Sequence, residues 1–176
     1  MDEHKHEPLP FLNNGIGQVA ILVPDLMAAI KHYHEDFGIG PWDIYTYQKP
    51  LVSQMTYHGK PADYGMWIGL SYFGPMRVEL IQPLTGDTVY ADFIAEHGYG
   101  VHHFGLLVDD IYTALEEARA AGYEMTMDGS GFGLDGDGHY AYLDTEDRLG
   151  VTLELIERPK RRHQPEAVYP PKKDQA

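Results

Sequence analysis

Gly15-Ile-Gly-Gln18-Val-Ala-Ile-Leu-Val23-Pro-Asp25-Leu-Met-Ala-Ala-Ile30 and Gly100-Val-His-His103-Phe-Gly-Leu-Leu-Val108-Asp-Asp110-Ile-Tyr-Thr-Ala-Leu115 are two copies of one pattern, offset by 85 residues. Each copy runs from a polar residue through an apolar strand and a Val-x-Asp step into an amphipathic helix. Each is answered about 50 to 60 residues later by an echo, Val78-Glu79-Leu80-Ile81-Gln82 and Leu153-Glu154-Leu155-Ile156-Glu157. A repeat of this length is one supersecondary unit used twice, so it governs the fold before any local assignment. It also sets four polar residues in matched places: Gln18 with His103, and Glu79 with Glu154.

Working outward, alternation over Ile16–Val23 puts Gln18, Ala20 and Leu22 on one face of a strand and Val19, Ile21 and Val23 on the other. Asp25 caps a helix with apolar positions at Leu26, Ala29, Ile30, Tyr33 and Phe37, and Gly38 stops it. Strands follow at 42–47, 64–72 and 76–82, with the Pro- and Gly-containing stretch 48–63 left irregular, and Thr88 or Asp87 caps a short helix to about Glu96. The second copy predicts a strand at 102–108, a helix over 110–121 stopped by Gly122, and strands near 123–128, 138–144 and 151–157. The order is β-α-β-β-β twice, an α+β class. The expected division is an N-terminal arm (1–13), a first βαβββ module with a connecting helix (14–98), a second βαβββ module (99–158) and a Pro-rich basic tail (159–176). That tail reads as an extended arm over this or a neighbouring subunit, or as disorder.

Composition narrows the partners. Acidic residues outnumber basic ones 27 to 13, for a net charge of −14. Such a field repels nucleic acid and anionic membrane, and any anion site needs local help from Lys31, Lys49, Lys60 or Arg77. Cysteine is absent, which excludes disulfides and thiolate metal sites. The N-terminal residues lack the apolar core of a signal peptide and no run reaches membrane-spanning length, so the expected location is cytoplasmic. His4 and His6 in the arm read as a solvated tail rather than a metal clip.

Gln18, Glu79, His103 and Glu154 each stand between apolar neighbours on a buried strand. A carboxylate there is costly unless it is hydrogen-bonded, paired or bound to a cation. A metal-free polar core would meet that cost, but two carboxylates in repeat-equivalent positions point to a shared metal. One imidazole, two carboxylates and an amide oxygen suit Zn²⁺, Ni²⁺, Co²⁺, Mn²⁺ or Mg²⁺, one ion per site. Among the other features, His139 is a second acid–base candidate because imidazole titrates near neutrality. The glycine-rich run 129–138 reads as a hairpin that could lie over the cavity. Of Tyr45, Tyr47, Trp67, Tyr72, Tyr140 and Tyr142, alternation sends about half inward and leaves open which half.

The duplicated module and these four positions resemble the vicinal oxygen chelate superfamily, which includes glyoxalase I, methylmalonyl-CoA epimerase, extradiol dioxygenases and antibiotic-binding proteins. Val101-His-His103-Phe-Gly-Leu-Leu-Val-Asp-Asp110, Val78-Glu79-Leu-Ile-Gln-Pro83-Leu and Gly150-Val-Thr-Leu-Glu154-Leu are most similar to the epimerase branch. The resemblance implies paired modules forming a U-shaped mixed sheet around a metal held by Gln18, His103, Glu79 and Glu154. Two positions depart from the epimerases: Gln18 stands where they have His, and Tyr45-Thr-Tyr47-Gln48-Lys-Pro50 supplies no carboxylate where they place a catalytic Glu. The single His among the four positions argues against an extradiol iron site. The expected activity is a metal-dependent isomerase, epimerase or lyase acting on a small carbonyl compound through an enediolate-type intermediate, with Glu154 as base. Sequestration of a small molecule without catalysis is the alternative. A homodimer is expected from the resemblance, with no nucleic-acid or membrane partner.

Overall fold

In a computed structural model that describes Leu9 and residues 15–171, the repeat folds into two strand-helix-strand-strand-strand units. The His4/His6 pair lies outside the described residues. The first unit comprises β1 (Ile16–Leu22), α1 (Leu26–Phe37), β2 (Trp42–Tyr47), a hairpin of β3 (Gln54–Tyr57) and β4 (Lys60–Pro61), β5 (Gly65–Phe73) and β6 (Met76–Thr85). Helix α2 (Val89–His97) leads to the second unit: β7 (Gly100–Leu107), α3 (Ile111–Ala120), β8 (Met125–Phe132), β9 (Gly138–Leu143), the single turn α4 (Glu146–Leu149) and β10 (Thr152–Glu157). A short β11 (Ala167–Tyr169) follows.

The helix ends follow local chemistry. The Asp25 side chain accepts from the Ala28 N–H at 2.9 Å, and Gly38 ends α1 at φ 70°. Asp110 accepts from the Tyr112 and Thr113 N–H groups, and Thr88 from that of Ala91. Each satisfies donors that a helix start leaves unpaired.

The eleven strands of the described residues join one sheet in the order β11-β2-β5-β6-β1-β7-β10-β9-β8-β3-β4. The units meet at its middle, where β1 and β7 run antiparallel, while β1–β6 and β7–β10 are parallel. The sheet wraps as a half-barrel, an α+β arrangement. Alternation divides its faces. Val23, Ile44, Val78 and Leu80 bury the convex side of the first unit under Leu26 and Ile30 of α1. Leu106, Ala141, Leu143 and Leu155 do the same under Ile111, Ala114 and Ala118 of α3. The concave side carries a third cluster, including Leu22, Tyr64, Met66, Ile68, Tyr90, Tyr140 and Tyr142.

One segment differs from the sequence reading, and another settles an alternative that it left open. The stretch 48–63, read as irregular, contains the β3–β4 hairpin, and β3 pairs with β8 of the other unit, Met55 facing Gly129. Its turn is His58-Gly59, with φ 46° and 72°; left-handed conformation at both central positions is the geometry that matches strand twist in a two-residue hairpin. The basic tail, read as an extended arm over this or a neighbouring subunit or as disorder, is an arm across this chain's own half-barrel as far as residue 171. The Leu134 N–H donates to the Arg161 carbonyl at 2.9 Å, Arg161 pairs with Asp135, the Glu166 carboxylate takes hydrogen bonds from Thr46, and β11 pairs with β2. The glycine-rich turn between β8 and β9 is thus where this strap is pinned. Among the described residues no helix is long and apolar enough to cross a membrane.

Small residues floor the concave centre. Gly105 on β7 lies between Gln18 on β1 and Glu154 on β10, and Ala20 on β1 lies between His103 on β7 and Glu79 on β6. A methyl group at Gly105 would stand 2.6 Å from Ile156 Cδ1 and 2.9 Å from Gln18 Cβ. Gly105→Ala is therefore predicted to destabilise by about 1–3 kcal/mol through overpacking, seen as a Tm several degrees lower. An unchanged Tm would show that the site has slack.

Candidate metal centre and cavity

Four side chains from four adjacent strands meet above that floor. Glu79, His103 and Glu154 each offer one ligand atom, all within 4.8 Å of one another. His103 Nε2 is 3.1 Å from Glu154 Oε2 and 3.6 Å from Glu79 Oε2. The Gln18 amide donates from Nε2 to both carboxylates, at 2.9 and 3.0 Å. Its Oε1 accepts a short hydrogen bond from Arg77 Nε. All five residues are buried. Burial would lower the His103 pKa, but the Glu154 and Glu79 carboxylates against Nε2 outweigh it and hold the imidazole at about 9.

The donor chemistry fits a divalent ion. Two carboxylate oxygens and one imidazole nitrogen are the borderline-to-hard set that Zn²⁺, Ni²⁺, Co²⁺, Mn²⁺ and Mg²⁺ accept. Gln18 adjoins these three, yet its amide is turned with nitrogen toward the carboxylates. Ligation through Oε1 needs the amide reversed, which would set its NH₂ against the Arg77 Nε–H.

One partner escaped the sequence reading. His102 Nδ1 lies 2.8 Å from His103 Nδ1, and both rings are buried. Burial, then the charge of His103, push the His102 pKa down to about 2, so neutral His102 accepts the Nδ1–H of His103. A hydrogen bond at the far nitrogen is what fixes the tautomer and orientation of a metal-binding histidine. Simple alternation would send adjacent residues to opposite faces. The register instead slips between Ala20↔His103 and Ile21↔Val101, so His102 is the extra residue of a β-bulge. A matching slip falls at Gly17, beside Gln18, so the repeat carries its bulge in both copies. The signal available in sequence was that Gly17 and His102 are themselves repeat-equivalent.

Gln18, Glu79 and Glu154 line a narrow cavity of about 40 Å³, with His103 fully buried beside them. Its walls include Tyr47, Tyr90, Phe132, Tyr140 and Tyr142. Of the aromatic residues left open by sequence, Tyr45, Tyr47, Tyr140 and Tyr142 join the concave cluster, Trp67 packs on the convex side, and Tyr72 is exposed. Burial raises the phenol of Tyr47 to about 12 and those of Tyr90 and Tyr142 well above the usual value. The Tyr90 and Tyr142 hydroxyls are 2.6 Å apart. These groups stay protonated and donate hydrogen bonds rather than act as bases. Arg77 lines the cavity from β6, and Arg162 reaches it from the strap.

His139 does not join them. It alternates with Tyr140, so it points to the convex side, where its Nε2 is 2.8 Å from Asp128 Oδ2 and its ring packs edge-on against Tyr112 of α3. The expected second acid–base group is thus on the far face of the sheet, paired in a structural contact.

Comparison with known proteins agrees with this geometry. The family model of the Glyoxalase/Bleomycin resistance protein/Dioxygenase superfamily matches residues 17–142. No curated protein matches the chain in sequence. Among solved structures, a methylmalonyl-CoA epimerase is similar at 25% identity and TM-score 0.55, covering 82% of this chain and 95% of its own. The methylmalonyl-CoA epimerase from Mycobacterium tuberculosis is similar at 21% identity and TM-score 0.56, with 82% and 87% covered. A Streptomyces coelicolor methylmalonyl-CoA epimerase in complex with 2-nitronate-propionyl-CoA is similar at 22% identity and TM-score 0.52, with 81% and 95% covered. On the extent of the family match, borne by both βαβββ units, this chain belongs to the Glyoxalase/Bleomycin resistance protein/Dioxygenase superfamily.

Proposed function

We propose that the protein is a metal-dependent enzyme that moves a proton at a carbon next to a carbonyl, in an isomerase, epimerase or lyase reaction. The observation that carries this reading is the convergence of Glu79, His103 and Glu154 within 4.8 Å at the head of a cavity. A divalent ion held by them supplies Lewis acidity toward a substrate oxygen. The epimerases among the structural relatives support an isomerase-type reaction.

The chain's own residues divide the remaining work. Glu79 and Glu154 are the carboxylates lining the cavity, and the phenols beside them are held protonated. Removal and return of the proton therefore fall to the carboxylates, with Glu154 proposed as the base and Gln18 fixing both through its amide N–H. Tyr47 occupies the wall near the place where the epimerase pattern would supply a glutamate. At about 12 its pKa makes it a hydrogen-bond donor, so a second base on that wall is not part of the proposal. Tyr90 and Tyr142 can donate to negative charge that develops on oxygen.

Purified protein should carry about one divalent ion per chain, and it should exchange the acidic C–H of a carbonyl substrate for deuterium in D₂O. Glu154→Gln should slow that exchange by roughly 10²–10⁴-fold while the circular dichroism stays native. Exchange at the wild-type rate would remove Glu154 from the role, and protein that binds no ion would overturn the reading. His102→Phe keeps the aromatic packing with Tyr90 and Phe93 but loses the bond to His103. It should weaken metal binding by about 10–100-fold in a chelator competition, and unchanged affinity would deny His102 its orienting role.

A further inference from the structure

Two guanidinium groups share the cavity. Arg77 is buried at 5% exposure and Arg162 is half-buried, and among the described residues neither makes an ion pair with a carboxylate. Arg77 bonds the Gln18 amide, and Arg162 lies beside the Tyr45 phenol, whose hydroxyl donates to the His163 carbonyl. Glu79 and Glu154 are the only nearby negative charges among the lining residues, and a bound divalent ion would claim both. The guanidiniums are then left lining one narrow cavity, inside a chain whose net charge is −14. Buried charge in that state is costly until an anion enters.

Position indicates where the anion lies. Arg77 is one amide away from the carboxylates, so a group bonded to it sits beside the proposed metal rather than on it. Arg162 comes from the strap, whose Pro159 closes the same cavity and packs on Gly133, where a methyl group would stand 2.3 Å from Pro159 Cβ. Beyond Arg162 a second, narrower pocket lies against Tyr45, Leu51 and His163 and shares Pro159 and Arg162 with the first. Guanidinium forks bind carboxylates with directional, charge-assisted hydrogen bonds.

We infer that the substrate is a compact carbonyl compound bearing a carboxylate, with the carbonyl directed at the Glu79–His103–Glu154 cluster and the carboxylate held between Arg77 and Arg162. This rests on the metal-dependent reading above and narrows its substrate class. Arg162 is thus a specificity residue brought to the site by a segment outside the repeated modules.

Levulinate and its methyl ester, a matched anion and neutral ketone, provide the test by calorimetric titration of the metal-loaded protein. Levulinate should bind about tenfold or more tightly than the ester. Arg162→Gln should abolish that preference at unchanged metal content, and Arg162→Lys should restore part of it. Equal affinity of wild-type protein for the two probes would overturn the inference, as would a preference that survives in Arg162→Gln, since the carboxylate would then be held elsewhere. Metal content is measured in the same samples. Absence of metal would therefore count against the metal-dependent reading, whereas absence of the levulinate preference in loaded wild-type protein counts against the substrate class alone.

Discussion

Three ionisable side chains that would repel or strand one another in any other arrangement meet at the centre of the sheet. Glu79 comes from the first module and His103 and Glu154 from the second, so the cluster exists only when β6, β1, β7 and β10 lie side by side. Two carboxylates this close are unfavourable in a buried site without positive charge between them, and both lie against the His103 imidazole, whose pKa they raise. The rest of the centre is arranged around that demand. Gln18 donates to both carboxylates, Arg77 orients Gln18, and His102 orients His103.

Duplication explains why the arrangement is possible. Each module contributes one side chain from its first strand and one carboxylate from its last. Each first strand also has a bulge immediately before its polar residue and a small residue two positions after it, Ala20 or Gly105. The small residues leave open the space in which the four side chains meet, and the bulges tilt them toward it. What differs between copies then decides chemistry: Gln18 against His103, and Gly17 against the orienting His102. The strap and the β3–β4 hairpin lie outside this symmetry. They cover opposite ends of the sheet, by pairing with β2 and β8, and the strap alone brings a charge into the cavity.

The α+β class, the tandem βαβββ order and the convergence of Gln18, Glu79, His103 and Glu154 were legible in sequence, because each rests on periodicity and on repeat equivalence. The helix caps at Asp25, Thr88 and Asp110 were legible for a local reason, since a side chain and the next turn decide them. Less accessible was whatever depends on contacts distant in sequence. The stretch 48–63 becomes a hairpin by pairing with residues about 70 positions later, and the basic tail becomes a strap through Thr46 and Asp135. His139 went astray because period two leaves the absolute choice of face open, and Tyr140, not its neighbour, faces the cavity. His102 was missed because a bulge breaks the alternation on which the reading relied.

The central claim is that one divalent ion is held by one imidazole and two carboxylates drawn from both modules. X-ray absorption at the cobalt edge of cobalt-loaded protein tests this most directly. The account predicts a first shell with a single imidazole nitrogen and otherwise oxygen donors, with the imidazole signal lost in His103→Ala. A shell containing two imidazoles, or one unchanged by His103→Ala, would place the ion elsewhere and contradict it.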